Sequence, residues 1–445
     1  MQRLFGTDGV RGVANTELSA NLALRLGAAA AYVLRSKHEG AKILVGRDPR
    51  ISGDVLESAL AAGVCALGVD IHLVGVVPTP AVAYLARLID ADAGIVISAS
   101  HNPMRDNGIK FFGPDGHKLS DDIEAEIEAQ VGRFDELPFP DGPGVGRMYR
   151  APYLVERYVE HLKRTFPHRL DGVSIAIDCA NGSASDIAPH LFADLGAAVA
   201  VINAQPDGAN INRDSGALHT DRIRKLVAGT DATIGFSFDG DADRAILSDA
   251  EGNLIDGDHV MAFCGLHMAE QGRLPGNVVV GTVMSNIGLE LALKNAGIEL
   301  ARAAVGDRYV SEEMRRRGAM LGGEKSGHLI FGEYTKTGDG MITALQVLNV
   351  MLESGKSLSE LAGQMEEFPQ LLESVPVRDR TGWEQNSEIQ AAIHAGEERL
   401  KGKGRVFVRA SGTEKLIRVM AEGPDMDELR TVVGDICAVV KRALG

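Results

Sequence analysis

Apolar runs with the length of buried strands recur along this chain in three groups of three. In each group, a helix-like segment and a short crossover separate the runs. The nine runs span residues 42–45, 71–77, 94–98, 173–177, 197–202, 232–238, 277–280, 298–305 and 318–321. A repeat of this kind predicts three related α/β/α-layer domains with mixed or parallel sheets.

Two of the intervening segments show the apolar periodicity of helices. We expect Ser52 to cap the first helix and Ser285 or Asn286 to cap the second, since short polar side chains favour that position. The predicted core-facing residues are Leu56, Leu60, Val64 and Leu67 in the first helix, and Leu289, Leu291 and Leu293 in the second.

The chain after residue 369 has a different pattern. Two strand-like segments flank Ser411, Gly412 and Thr413, and an amphipathic helix follows them. The apolar face of that helix comprises Leu429, Val432, Val433, Ile436 and Val440. The whole chain is therefore predicted to be α/β, with three related domains and a C-terminal α+β domain.

Composition narrows the class of protein. The 445 residues carry a net charge of -15, from 46 basic and 61 acidic residues, which speaks against nucleic acid or an anionic membrane as the main partner. A small anionic substrate remains compatible with locally gathered basic residues. We expect a cytoplasmic protein, because no signal-peptide pattern begins the chain and the longest apolar stretch, 26–34, is short. Its cysteines are far apart and are expected to be reduced: Cys65, Cys179, Cys264 and Cys437.

A polar loop follows the third run of each group, and equivalent loops of related domains would meet in one cleft if the domains lie side by side. The first loop places Ser100 between an apolar strand and the residues His101, Asn102 and Pro103. This setting favours a serine exposed to chemistry. The alternative is an ordinary serine turn that Pro103 terminates.

The second loop carries Asp239, Asp241 and Asp243 at alternate positions. Three carboxylates in one short loop repel each other, and a hard divalent cation with oxygen ligands, Mg²⁺ being the natural candidate, relieves that repulsion. An EF-hand is excluded because Arg244 stands where that motif needs glycine. Two alternatives remain: Asp239 as a covalent nucleophile, and a solvated acidic turn, which the apolar lead-in disfavours.

The third loop spans residues 322–328, and the segment 318–326 that overlaps it superficially resembles a nucleotide-binding P-loop. That motif requires lysine directly after its second glycine, and Glu324 stands there instead. Near the C-terminus, Ser411, Gly412 and Thr413 would present hydroxyls and a backbone N–H beside Arg409 and Arg418. This combination suits a phosphate, and an ordinary hairpin turn is the alternative.

Four motifs in chain order resemble those of the α-D-phosphohexomutase superfamily: residues 100–103, 239–244, 323–328 and 409–414. The segments 5–12, 106–112, 178–182 and 306–310 most resemble its bacterial phosphoglucosamine mutase subgroup. The resemblance implies a heart-shaped enzyme of four domains. The first domain is expected to span residues 1–150 and to carry the phosphoserine, and the second to span 151–252 and to bind the metal. The third, 253–367, would bind the sugar, and the fourth, 372–445, would bind phosphate.

The resemblance further implies that glucosamine 6-phosphate and glucosamine 1-phosphate interconvert through a 1,6-bisphosphate, with a hexose 1,6-bisphosphate as activator. The product would serve UDP-N-acetylglucosamine and cell-wall precursor synthesis, and the enzyme would be a homodimer. The implied phosphoserine is Ser100, which joins Asp239, Asp241 and Asp243 on Mg²⁺. The implied substrate-binding residues are Glu324, Ser326, Arg409, Ser411, Gly412, Thr413 and Arg418, and the residues lining the transfer site are Arg11, Lys110, Arg244 and His328.

Several points stay open on the sequence. Lys110 or His328 would serve as general acid or base. Lys325 replaces the glutamine typical of the subgroup, and Lys415 replaces its proline. Other readings are a mannose or glucose phosphate mutase, a non-catalytic phosphosugar sensor, and a hydrolase using Asp239. A hinge is expected at 367–372, where the C-terminal domain would open.

Overall fold

The computed structural model describes residues 4–6, 8–35, 40–411 and 415–445. The first domain is a mixed six-stranded sheet with helices on both faces, in the strand order β1-β5-β4-β2-β3-β6. Its strands β2, β3, β4 and β6 are parallel, and β5 runs antiparallel to β4 and β1. Its elements are β1 (Val10–Val13), α1 (Ala20–Leu34), β2 (Lys42–Arg47), α2 (Ser52–Ala66), β3 (Asp70–Val76), α3 (Thr79–Leu88), β4 (Ala93–Ile97), β5 (Asp106–Phe112), α4 (Asp121–Gly132) and β6 (Met148–Arg150).

The second domain repeats this layout around a five-stranded sheet in the order β11-β10-β9-β7-β8. Strands β7, β8 and β9 are parallel, and β10 returns antiparallel to β9. Its elements are α5 (Val155–Arg164), β7 (Ser174–Asp178), α6 (Ala184–Asp194), β8 (Ala198–Ile202), α7 (Asp221–Ala228), β9 (Ile234–Phe238), β10 (Ala245–Asp249) and β11 (Leu254–Ile255).

The third domain has a four-stranded sheet in the order β13-β12-β14-β15, again with an antiparallel last strand. Its elements are α8 (Gly257–Glu270), β12 (Val278–Thr282), α9 (Ile287–Asn295), β13 (Glu299–Ala303), α10 (Asp307–Arg317), β14 (Leu321–Gly323), β15 (Leu329–Phe331), α11 (Gly340–Ser354) and α12 (Leu358–Ala362).

The fourth domain is α+β, with an antiparallel sheet in the order β16-β18-β17 and two helices packed on it. Its elements are β16 (Gln370–Pro376), α13 (Ser387–Leu400), β17 (Arg405–Ala410), β18 (Leu416–Glu422) and α14 (Met426–Leu444). The predicted apolar face of α14 is buried along its whole length. The predicted fold class is therefore confirmed.

Two predicted helix features need correction. The N-cap of α2 is Ile51, which makes no side-chain cap, while Ser52 lies inside the helix and its hydroxyl accepts from Asn107. The prediction for α9 holds through Asn286, whose side chain accepts from the Gly288 N–H. Leu291 is 41% exposed and does not belong to the core, since it points away from the sheet that Leu289 and Leu293 cover.

The strand prediction 318–321 is displaced. Gly318 adopts a left-handed backbone and ends α10, so that β14 begins only at Leu321. The sequence analysis also missed the antiparallel strands β5, β10 and β15, each of which returns along the polar loop that follows the third strand of its domain. These returns hold both ends of each loop in the sheet.

One hydrophobic core cluster runs through the first three domains and includes Val82, Phe238 and Leu345. The fourth domain packs its helices on its sheet around a separate cluster that includes Ile417 and Val433. None of the helices in the described ranges is both long and apolar enough to span a bilayer. The first three domains are therefore joined by apolar packing, and the fourth has a core of its own.

Candidate active site

Ser100 lies just beyond the carboxyl end of β4, at the edge of the first sheet. It is 1% exposed and adopts a left-handed backbone with φ of 50°. This conformation costs a residue with a side chain roughly 1–2 kcal/mol, so the surrounding contacts must hold it. Its hydroxyl donates to Asp239 Oδ2 over 2.6 Å, and His101 Nδ1 is 3.2 Å from Ser100 Oγ. The serine loop of the first domain thus meets the aspartate loop of the second.

Asp239, Asp241 and Asp243 lie in the tight turn between β9 and β10, where Ala242 also has a left-handed backbone. All three carboxylates are buried, and they offer ligand atoms within 4.8 Å of one another. Burial and the charges of Asp243 and Asp241 raise the pKa of Asp239 well above its usual value. Burial and Asp241 likewise raise the pKa of Asp243. Acidic groups are therefore crowded together at this buried turn.

The donor set fits a hard divalent cation. Asp241 Oδ1 and Asp243 Oδ1 are buried and have no hydrogen-bond partner among the described residues. Orphaned carboxylate oxygens in a dry site are costly unless a cation is shared between them. Across the described ranges, these three residues form the one group of His, Cys, Asp or Glu that is close enough to bind a metal.

Lys110 brings a positive charge to the same turn from β5, the antiparallel neighbour of β4. Its Nζ is 2.9 Å from Asp241 Oδ2 and 3.1 Å from Asp8 Oδ2. Burial alone would lower the pKa of Lys110, but Asp241, Asp8 and Asp243 outweigh it and raise that pKa. Asp241 responds in the opposite direction: burial would raise its pKa, but Lys110 lowers it. Lys110 is therefore a fixed ammonium group at the turn.

A chain of alternating charges continues from Asp8 towards the third domain. Asp8 pairs with Arg11 and with Lys118, and Lys118 also pairs with Asp307 at the start of α10. His328 lies between acids of two domains, with Nε2 3.8 Å from Asp307 Oδ2 and 3.9 Å from Asp243 Oδ2. Both His328 ring nitrogens are buried without a hydrogen-bond partner in the described structure.

His101 and Arg244 complete the lining near Ser100. Burial, with the nearby Arg244 and Arg11, lowers the pKa of His101 to about 4, so the imidazole is neutral at physiological pH. Burial opposes the charge on Arg244, but Asp243 and Asp239 outweigh it and raise the pKa of the guanidinium. Its Nε is 3.8 Å from Asp243 Oδ1. Both residues reach the aspartate turn that Ser100 contacts.

The third loop docks on the second domain. Gly327 has φ of 88°, its carbonyl accepts from the Ala245 N–H, and an added Cβ would lie 2.4 Å from the Ala245 carbonyl oxygen. Glu324 Oε1 accepts from the Gly306 N–H over 3.0 Å, and Ser326 Oγ is buried without a partner in the described residues. The three loops are therefore in contact, as the repeat predicts.

The predicted phosphate-binding residues lie on the fourth domain. Arg409 on β17 and Arg418 on β18 are directly opposite each other, and the pKa of Arg409 is lowered by burial and by Arg418. Ser411 follows β17 and is buried. Gly412 and Thr413 lie outside the described residues, so their predicted role stays a prediction. Two cations held side by side suit a doubly charged anion.

Sequence reasoning missed several residues that support these groups, in particular Asp48 and Arg50. Both are fully buried beyond β2, the parallel neighbour of β4. Because parallel strands end at the same sheet edge, two charged residues after a buried strand next to the serine strand were a signal that could have found them. Asp8, Lys118 and Asp307 gave no such signal, since their pairing depends on contacts between domains.

Comparison with known proteins shows which family the chain belongs to. Family models for phosphoglucomutase/phosphomannomutase match in order: α/β/α domain I at residues 2–137, domain II at 156–252, domain III at 256–368 and the C-terminal domain at 372–439. A protein named phosphoglucosamine mutase from Desulforamulus reducens is 51% identical over 441 residues, covering 99% of each chain. One of the same name from Desulforudis audaxviator is 53% identical, covering 99% of this chain and 98% of its own.

Solved structures share the fold. A phosphoglucomutase/phosphomannomutase family protein from Burkholderia thailandensis gives a TM-score of 0.85 at 25% identity, covering 100% of this chain and 98% of its own. An N-acetylphosphoglucosamine mutase from Aspergillus fumigatus, solved with GlcNAc-6P and magnesium, gives 0.70 at 18% identity, covering 99% and 96%. The four family models and the full-length relatives show that the chain belongs to the phosphoglucomutase/phosphomannomutase family of isomerases, in the α-D-phosphohexomutase superfamily.

Proposed function

We propose that the chain is a phosphoglucosamine mutase that interconverts glucosamine 6-phosphate and glucosamine 1-phosphate, with Ser100 as its phosphoryl carrier. The observation that carries the proposal is the Ser100 hydroxyl held 2.6 Å from Asp239, beside two orphaned carboxylate oxygens. The names of the full-length relatives support the choice of sugar. Phosphoserine, the bisphosphate intermediate and the residue roles below are parts of this proposal.

Asp239, Asp241 and Asp243, together with a Ser100 phosphate oxygen, would hold Mg²⁺. When bound, the ion supplies positive charge to the oxygens of the transferring phosphoryl group. Lys110 and Arg244 add fixed cations on the sides of the turn, and Arg11 adds one from the first domain. Phosphoryl transfer depends mainly on such positioning and charge.

In the forward step, the bond between the Ser100 oxygen and phosphorus breaks, and the free sugar hydroxyl forms a new bond to that phosphorus. The sugar hydroxyl loses its proton at the same time, and we assign the acceptance of that proton to His328, whose ring nitrogens have no hydrogen-bond partner in the described residues. The departing Ser100 oxygen gains a proton from solvent in exchange and becomes the hydroxyl that donates to Asp239. Lys110, held as an ammonium by three carboxylates, serves as a source of charge.

The product of that step is a 1,6-bisphosphate, which must turn over before its other phosphate returns to Ser100. Glu324 and Ser326 would bind sugar hydroxyls in either orientation. Arg409, Ser411, Gly412, Thr413 and Arg418 would bind whichever phosphate is not reacting. A hexose 1,6-bisphosphate would reload an enzyme that has lost its phosphoryl group, and so acts as activator.

The proposal extends to cellular context. Glucosamine 1-phosphate would feed UDP-N-acetylglucosamine and peptidoglycan precursor synthesis in the cytoplasm, and the enzyme would act as a homodimer. The domain ranges expected from the sequence, 1–150, 151–252, 253–367 and 372–445, are retained as the working division of the chain.

The test is a ³¹P NMR time course of glucosamine 6-phosphate with Mg²⁺ and a trace of glucose 1,6-bisphosphate. We expect a glucosamine 1-phosphate signal with the wild type, and a loss of at least about 10³-fold in rate for Ser100→Ala. Ser237→Ala is the matched control, because Ser237 is a fully buried serine on the neighbouring β9 without a hydrogen-bond partner in the described residues.

Other results would point to the alternatives. Faster turnover of mannose or glucose phosphates would reassign the substrate within the family. Release of inorganic phosphate without an isomer would indicate a hydrolase that uses Asp239. Binding without any turnover, by a protein whose Ser100 is never phosphorylated, would indicate a sensor.

A further inference from the structure

A buried ion pair behind the serine loop lies outside the machinery described so far. Asp48 and Arg50 follow β2 and have no exposed surface. Arg50 Nε donates to Asp48 Oδ2 over 2.9 Å. Burying two charges is costly, and a surface pair would be enough if the only need were to end a strand. The remaining contacts of this pair indicate what it holds.

The Arg50 guanidinium makes three hydrogen bonds to carbonyl oxygens of one loop. Nη1 donates to Pro103 over 2.6 Å, and Nη2 donates to Ser100 over 3.0 Å and to Asn102 over 2.8 Å. The planar fork of arginine suits such a set of fixed acceptors, and lysine cannot reproduce it. Arg50 therefore binds backbone carbonyls on both sides of His101.

Asp48 holds the same loop from its other end. Its Oδ2 accepts from Ser98 Oγ over 2.6 Å, and Ser98 Oγ in turn accepts from the Ser100 backbone N–H over 2.9 Å. Both polar groups of the Ser100 backbone are thus tied to the Asp48–Arg50 pair, the N–H through Ser98 and the carbonyl through Arg50. Asn212 of the second domain adds a bond to the same Ser100 carbonyl over 2.8 Å.

These contacts hold Ser100 in its left-handed backbone conformation. A serine rarely stays in this conformation unless its surroundings impose it. With φ of 50°, the hydroxyl points at Asp239. If the loop relaxed towards an ordinary backbone, the hydroxyl would turn away from the carboxylates, and a small misplacement of a reacting oxygen is expensive in phosphoryl transfer.

We propose that Asp48 and Arg50 are positioning residues, which hold the Ser100 backbone in its left-handed conformation so that its oxygen stays in line for phosphoryl transfer. Because both are fully buried behind the loop, they would touch neither sugar nor phosphate. The assignment rests on the proposed function for its kinetic consequence, but not for its structural one, so the two can fail separately.

The experiment compares wild type with Arg50→Lys and Asp48→Asn. Arg302→Lys is the matched control, since Arg302 Nη1 also donates to two loop carbonyls, those of Thr282 and Ser285, but in the third domain. The structural readout is hydrogen–deuterium exchange of peptides covering residues 98–104. The kinetic readout is kcat and KM for the sugar phosphate, per folded molecule.

We expect both variants of the pair to raise exchange in residues 98–104 by about tenfold or more, while the control leaves that segment unchanged. We expect kcat to fall about ten- to hundredfold with KM changed less than about threefold, because substrate binding groups are untouched. A merely structural role would lower the melting temperature and leave kcat per folded molecule intact.

Unchanged exchange at residues 98–104 would overturn the proposal, and so would kcat within about twofold of wild type. If Arg50→Lys does not fold, Asp48→Asn carries the test, because asparagine keeps the shape of the side chain while it removes the charge and one of the two acceptor oxygens. If the wild type itself isomerises no sugar phosphate, the proposed function fails, and the exchange measurement still decides whether the pair holds the loop.

Discussion

The Ser100 loop and the Arg409–Arg418 pair are the two sites that would bind phosphate, and they are attached to the rest of the molecule differently. Ser100 is buried between domains that share one hydrophobic core, and two domains bond its carbonyl. Arg409 and Arg418 are on a domain with a separate core. Hydrogen bonds join that domain to the third, such as those from Arg405 to the carbonyls of Val283 and Ser285.

The difference matches the two tasks of a mutase. The transferring group needs one geometry in both half-reactions, and apolar packing across three domains provides it. The non-reacting phosphate must be held, released and held again as the bisphosphate turns. Polar contacts at a domain boundary can open at modest cost, because water replaces them. The chemistry is therefore expected to depend on the first region and affinity on the second.

The largest expected effect is on the metal site. Asp243→Asn removes one carboxylate charge from the aspartate turn, and we expect kcat to fall at least about 100-fold because the charge on the transferring oxygens is less well compensated. Titration with Mg²⁺, followed calorimetrically, should show weaker binding. Asp249→Asn, an acid at the far end of β10, is the control. If Asp243→Asn kept the Mg²⁺ affinity and the rate of the wild type, the chemistry would not depend on the region around Ser100.

The fourth domain should show the opposite kinetic pattern. Arg409→Gln is expected to raise KM about 10- to 100-fold, the worth of a charge-assisted hydrogen bond, while kcat changes little. Arg442→Gln, on the exposed side of α14, is the control. Steady-state kinetics with glucosamine 6-phosphate measures both. A fall in kcat with KM unchanged would indicate that Arg409 acts in the phosphoryl transfer step and not in substrate binding.

The junction of the third and fourth domains carries a pH-dependent cost. Burial and the charge of Asp256 raise the pKa of Asp258 to about 7, and Asp258 Oδ2 accepts from the Asn286 N–H. Because the folded pKa is above the unfolded value, the stabilisation is fully present below about pH 4 and is lost as pH rises through about 7. At pH 8 the buried charge costs a few kcal/mol.

Asp258→Asn should therefore raise the melting temperature at pH 8, and the gain should shrink as pH falls to 5. Calorimetric scans at four pH values measure it. Asp435→Asn, on the C-terminal helix, controls for loss of an acidic charge, and no pH-dependent gain is expected there. A gain of equal size at every pH would show that the Asp258 titration is not the cause.

The smallest expected effect concerns Lys325, which lies between the two proposed sugar-binding residues. Its Nζ is 2.7 Å from Glu367 Oε1, in the segment that leads into the fourth domain. The pair is partly exposed and worth at most about 1 kcal/mol, so Lys325→Gln should change KM by about two- to fivefold. Raising the salt concentration should reduce the difference between the two proteins. An effect on kcat larger than that on KM would contradict the assignment.

The sequence alone predicts much of this arrangement, in which three loops meet around Ser100 and an arginine pair lies on the fourth domain. The three equivalent loops were expected to meet because each follows the third apolar run of a repeated unit, and the contacts of Ser100 with Asp239 and of Ala245 with Gly327 show that they do. The paired arginines opposite each other on β17 and β18 also follow from alternation along two adjacent strands.

The rest depends on tertiary contacts. The apolar run 318–321 predicts that Gly318 begins a strand, but its left-handed backbone ends a helix, and glycine is compatible with both. Ser52 looked like a cap, yet its hydroxyl pairs with Asn107 from β5. Arg50 lies in a short polar segment, and the backbone carbonyls that it binds are 50 or more residues away in sequence. No local pattern indicates which backbone such an arginine will hold.

Ser100 itself is proposed to carry the phosphoryl group. The deciding measurement is the intact mass of the dephosphorylated protein before and after mixing with glucosamine 1,6-bisphosphate, with the Ser100→Ala protein in parallel. We expect the wild type to gain the mass of one phosphoryl group as glucosamine monophosphate appears in solution, and Ser100→Ala never to gain it. Isomerisation by a protein whose Ser100 is unphosphorylated throughout would contradict the account.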